Sequence, residues 1–184
     1  MAIMEAPQGR WAKILIETFQ RRAFLKQSGD KLTTLRTRET WQDDPDWPEL
    51  KRAYTWMRTE YAQRRIALDP RQALLWGWPS PFVEGRYKKR NNPRSASVRL
   101  WVEVPEALVL ASDFGAWHVI LNDGRFLDET QPDLPLAEDW EKLFDGSWLA
   151  AHEFAGPPGT DDQVVFPYIR REWIQKVKYF RGQY

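Results

Sequence analysis

The sequence predicts an α+β fold: a single compact domain built on a mixed, mostly antiparallel sheet, with an extra helix at the N-terminus. Three observations lead there. Short apolar stretches with strand character are interspersed with a few segments of helical periodicity. The two kinds do not alternate as the regular strand–helix–strand units that a parallel sheet requires. A length of 184 residues fits one domain, and a chain of this size buries roughly 70% of the surface its unfolded form exposes.

The elements follow in order. Trp11, Leu15 and Phe19 recur at a spacing of four, with Ala12 and Ile16 beside them and Arg21, Arg22 and Lys26 following. This pattern predicts a basic amphipathic helix over 9–27, ended by Gly29-Asp30. Residues 1–31 therefore read as a helical extension and 32–184 as the α+β domain. The extension either packs on the domain or docks a partner protein. The threonine-containing stretch 32–40 favours a strand. Asp46, Pro48 and Glu49 form a helix-start signal, and Leu50, Tyr54, Met57 and Tyr61 mark the buried face of the helix that follows.

Ala73 to Trp78 is a short apolar run closed by Pro79-Ser80-Pro81, which reads as a buried strand. Residues 85–97 read as loop and Val98 to Val104 as a strand. Leu108 to Leu110 and Trp117 to Leu121 read as further strands or buried segments, and Asn122-Asp123-Gly124 is a turn signal. Leu136, Trp140, Leu143 and Phe144 mark a short helix. Two β-like stretches, Val164 to Ile169 and Ile174 to Phe180, close the chain.

Composition narrows the chemistry. The 27 basic and 26 acidic side chains leave a net charge of +1, so no global field steers the chain to nucleic acid or to an anionic membrane. Having no cysteine, it has no disulfide, thiolate-held zinc, iron–sulfur cluster or thiol nucleophile. His118 and His152 alone do not make a histidine-rich metal site, so no metal is expected. No signal-peptide pattern and no run of about 18 apolar residues occurs. A cytoplasmic protein that does not insert into membranes is expected. Eleven tryptophans are spread over the whole chain, which points to core packing for most and to pocket lining for those beside loops.

Two constellations suggest a site. The segment 86–99 holds Arg86, Lys88, Lys89, Arg90, Arg94 and Arg99 without an acid. It is either a solvated loop or a phosphate-binding one for RNA, DNA or a dinucleotide, with Trp76, Trp78 and Tyr87 near enough to stack bases. Asp113 and His118 lie five residues apart, which suits either a carboxylate orienting an imidazole or a hydrogen-bonded structural histidine. Glycine-rich phosphate loops, dinucleotide fingerprints and zinc-protease helices are absent.

Several motifs together carry a resemblance. Thr37-Arg38-Glu39-Thr40 with Trp41, Tyr54-Thr55-Trp56-Met57, Leu75-Trp76-Gly77-Trp78 and Pro93-Arg94 occur in order. They are followed by Val104-Pro105-Glu106 and by Ser112-Asp113-Phe114 with Trp117-His118 and Leu121-Asn122. Over residues 32–184 the chain resembles the bacterial family catalogued as domain of unknown function 3841. It departs from that family at Glu39, where the family more often has glutamine.

The order of elements is also similar to the NAD-dependent ADP-ribosyltransferase fold, with its split sheet. That resemblance implies a nucleotide pocket and NAD as cofactor. In it Arg38 binds the pyrophosphate, Trp76 and Trp78 line the nicotinamide pocket, and Gln163 stands where a late strand carries a catalytic glutamate. An amide is no carboxylate, so Glu39 replaces it, or the site only binds, or the analogy fails. The candidate catalytic residues are accordingly Arg38, Glu39, His118 and Gln163. Thr37, Trp76, Trp78, Arg94, Asp113, Trp117 and Asn122 are the candidate cofactor-binding residues. The competing expectation is a non-catalytic module that binds RNA or protein through the basic loop 86–99.

Overall fold

The computed structural model describes residues 12–35, 47–81, 96–127, 131, 133–155 and 161–181. It is an α+β arrangement of helices on a six-stranded sheet. The strands of that sheet are β1 (Lys13–Arg21), β5 (Leu75–Pro79), β6 (Ala96–Pro105), β7 (Leu110–Asp113), β8 (Asp162–Phe166) and β10 (Ile174–Arg181). Their order is β10-β6-β1-β5-β8-β7, and each neighbouring pair is antiparallel. Two small antiparallel pairs complete the strands: β2 (Lys31–Leu32) with β9 (Ile169–Arg170), and β3 (Thr34–Leu35) with β4 (Gln72–Ala73).

The expected N-terminal helix is not there. Residues 13–21 are strand β1, inside the sheet between β6 and β5, and only Arg22–Lys26 coil, as a short 3-10 turn. The physical reason is that a spacing of four satisfies a two-residue period as well as a helical one. Leu15 and Phe19 therefore share a strand face, while Ile14, Ile16 and Thr18 point to the other. Nine residues of β1 pair continuously with β6, from Lys13 opposite Pro105 to Arg21 opposite Ser97.

Each face of the sheet carries its own core. On one face Ile16, Val98, Leu100, Val102, Val104, Val164 and Phe166 pack under Phe24, Leu32, Ile169 and Trp173. On the other, the described helices cover only the half made by β5, β8 and β7. There α1 (Pro48–Arg64) and α2 (Phe114–Leu121) pack with the segment 136–151 over Leu110, Val165 and Trp76. That segment comprises α3 (Leu136–Asp139), a 3-10 turn over Trp140–Phe144 and α4 (Gly146–Ala151).

Helix α1 buries Tyr54, Met57 and Tyr61 as its sequence pattern requires, and Ala53, Trp56 and Glu60 with them. Trp117 to Leu121 form part of a helix rather than a strand, because Asp113 caps the N-terminus by accepting from the Ala116 amide at 2.8 Å. No described helix is long and apolar enough to cross a membrane.

Two buried tyrosines give the fold a pH limit. Burial pushes both the Tyr54 and the Tyr61 hydroxyl well above their ordinary value near 10, outweighing the hydrogen bond from Trp117 at Tyr54 and the Arg65 charge at Tyr61. A group whose folded pKa is raised supports the fold fully below its unfolded pKa and loses that support as pH rises. Above about pH 10 each tyrosine is expected to lower stability by about 1.4 kcal/mol per pH unit. Urea unfolding at pH 8 and pH 11 checks this, with Tyr61→Phe expected to flatten the decline. An equally steep decline in that variant rules the explanation out.

Candidate functional site

The half of the second face that no described helix covers, formed by β1, β6 and β10 with Trp78 of β5 at its border, buries the polar side chains Glu17, Arg99 and Ser97. The register sets Glu17 opposite both Trp78 and Trp101, Trp101 opposite Lys176, and Ser112 opposite Gln163. Because Gly77 faces Val164, Gln163 comes beside Trp78. Directly opposed residues share a face. One polar and aromatic row therefore crosses all six strands: Ser112, Gln163, Trp78, Glu17, Trp101 and Lys176.

At the centre of the row lies a buried ion pair. Glu17 is 3% and Arg99 7% exposed. Arg99 Nε donates to Glu17 Oε2 at 2.7 Å, its Nη2 donates to the same oxygen, and Ser80 Oγ donates to Oε1 at 2.8 Å. The guanidinium also lies 4.6 Å from the centre of the Trp101 ring and 5.5 Å from that of Phe19. Arg99 is thus a fixed member of β6. It does not belong to a phosphate-binding loop, which corrects the expected extent of the basic segment: residues 96–99 are strand. Arg86, Lys88, Lys89, Arg90 and Arg94 lie outside the described residues, as do Thr37, Arg38 and Glu39.

The remaining candidates divide. Trp76 and Trp117 meet, ring centres 5.1 Å apart, and Tyr54 stands edge-on to both at 5.5 Å. Trp78 lies on the same face as Trp76, edge-on to Phe19 at 6.0 Å. Gln163 is 2% exposed. Neither its Nε2 nor the indole Nε1 of Trp76, both out of reach of solvent, has a hydrogen-bond partner among the described residues. Gly77, between the two tryptophans, allows β5 its close approach. A Cβ there would lie 2.5 Å from Ile16 Cγ2 and 2.9 Å from the Glu17 carbonyl oxygen.

Asp113 and His118 are not brought together as an acid–base pair. The carboxylate of Asp113 is engaged by the start of α2. His118 is exposed, its Nδ1 lies 2.7 Å from the Phe114 carbonyl, and its ring packs edge-on to Phe114. Asn122 is exposed one turn further on and donates to the His118 carbonyl at 2.7 Å. These residues finish a helix.

Sequence reasoning missed Glu17 and placed Arg99 in the basic loop instead of beside it on the sheet. The available signal was an acid alone in the apolar run Ile14 to Phe19, a position where a strand buries a charge only with a partner. No family model, curated protein or solved structure matches the chain.

Proposed function

We propose that the chain is a nucleotide-binding domain, with a flat heteroaromatic ring seated against Trp78 beside Gln163. The supporting observation is the pair of buried donors, Trp76 Nε1 and Gln163 Nε2, that lack a partner among the described residues. A buried donor left unpaired costs about 1–3 kcal/mol, and a ligand carbonyl between them removes that cost. A ring bearing a carboxamide, as in NAD, supplies both the π-face for the indole and the acceptor for the two N–H groups. In the ADP-ribosyltransferase-like reading, Arg38 takes the pyrophosphate and the target is a macromolecule. Gln163 then binds the ring and holds no proton. The nearby carboxylate of Glu17 is already neutralised by Arg99.

The test is thermal. A ligand at ten times its Kd adds about 1.4 kcal/mol, a rise in Tm of roughly 3–6 °C for a chain of this size. Millimolar NAD is expected to give such a rise, and Gln163→Leu and Arg38→Ala to remove it. No shift at millimolar NAD sinks the proposal.

A further inference from the structure

We infer that single-stranded nucleic acid binds across the half of the sheet face that no described helix covers, over β1, β6 and β10. This surface stands on other residues than the nucleotide site and the basic segment before β6. Three aromatic rings lie half-buried on it, Phe19, Trp101 and Phe180, with Phe19 and Phe180 edge-on at 6.1 Å. Three exposed cations flank them: Arg21, Lys176 and Lys178. The register puts Lys178 opposite Arg99, which faces Phe19, and sets Ser97 against both Phe180 and Arg21, so all six side chains share one face.

Positive charge is concentrated in β10 and the turn that leads into it. Residues 170–181 carry Arg170, Arg171, Lys176, Lys178 and Arg181 against the single acid Glu172, although the whole chain is close to neutral. The acids on the same face are already countered, Glu17 by Arg99 and Glu103 by Lys13 at 3.6 Å. Arg21, Lys176 and Lys178 have no acidic partner among the described residues within ion-pair distance. Their field is left for a polyanion.

Aromatic rings set among uncompensated cations on a sheet are the elements that hold unpaired bases, since every base has a face to stack and every linkage a phosphate to neutralise. A duplex hides its base faces and gains only the charge contribution. Lys176, whose ammonium lies 4.7 Å from the Trp101 ring centre, is exposed and long-stemmed. When a base takes its place on the ring it can move to a phosphate.

The test is fluorescence anisotropy of the full chain with a labelled oligouridylate of about twelve nucleotides, a length within the range covered by one sheet-based site. Binding is expected to weaken with salt. Lys176→Gln with Lys178→Gln is expected to reduce the logarithmic salt slope by about 1.4, at about 0.7 per phosphate contact. Trp101→Leu is expected to lose at least about fivefold in affinity, the low end of one stacked base, while circular dichroism confirms that the variant is folded. The two lysine substitutions lie at exposed positions and keep the result interpretable if Trp101→Leu unfolds.

The inference is overturned by any of three results: no binding at low salt, a salt slope unchanged in the lysine variant, or equal affinity for a duplex of the same length. The NAD-dependent rise in Tm is expected to survive in the lysine variant, and oligouridylate binding to survive in Gln163→Leu. Failure of one reading is thereby told from failure of the other.

Discussion

Arg99→Met is expected to lower the free energy of unfolding by about 3–5 kcal/mol, the usual consequence of removing one partner of a buried ion pair. The substitution keeps the length and most of the apolar stem, so packing against Phe19 and Trp101 is largely preserved. The charge that answers Glu17 is lost. Glu17 is 3% exposed on a strand flanked by β6 and β5, and its Oε2 takes two donors from Arg99. Ser80 still donates to Oε1, but a neutral hydroxyl does not replace the positive charge that Arg99 brings. The control is the double variant Glu17→Gln with Arg99→Met, which removes the carboxylate charge as well and is expected to recover most of the loss. Urea unfolding of the three proteins measures it. A double variant as unstable as the single one shows that Arg99 supports the sheet by packing and that the ion pair contributes little.

What the sequence revealed, and what it did not, follows from how far each signal reaches along the chain. Local patterns were legible. The α1 face of Tyr54, Met57 and Tyr61, the strands β5, β6 and β10, and the antiparallel α+β class all follow from periodicity and turn residues within a few positions. Strand β1 was misread because its spacing of four satisfies both periods. The β-branched Ile14, Ile16 and Thr18, at alternate positions, were the deciding residues. Helix α2 was obscured by the apolar run from Trp117 to Leu121, although Asp113 supplies its cap.

The site was legible only in part. Trp76, Trp78 and Gln163 share one sheet face; the two tryptophans stood out in their own stretch of sequence, whereas Gln163 was named only through the resemblance to the ADP-ribosyltransferase fold. Their neighbours Glu17 and Arg99 are 82 positions apart, and nothing but the pairing of β1 with β6 brings them together. Asp113 and His118 illustrate the reverse. Closeness in sequence suggested a pair, yet a helix start takes the carboxylate and a helix surface takes the imidazole.

Asp139→Ala is expected to cost roughly 2–6 kcal/mol, because it strips a buried and a partly buried backbone amide of their acceptor at about 1–3 kcal/mol each. Asp139 is fully buried at the end of α3. Its Oδ2 accepts from the Phe126 amide and its Oδ1 from the Leu127 amide, each at 2.8 Å. The same loop is held by Trp140 Nε1 donating to the Gly124 carbonyl at 2.8 Å and by Arg125 donating to the Leu134 carbonyl at 2.7 Å. One carboxylate thus takes the place of a strand partner for a segment that has no ladder of its own. It fixes Phe126 in the core formed with Leu143, Leu149 and Trp117. Asp139→Asn retains one acceptor oxygen and is expected to lose about half as much. Thermal unfolding and amide exchange at Phe126 and Leu127 separate the outcomes. If both amides stay protected in the alanine variant, the loop is held by its aromatic packing and the carboxylate is dispensable.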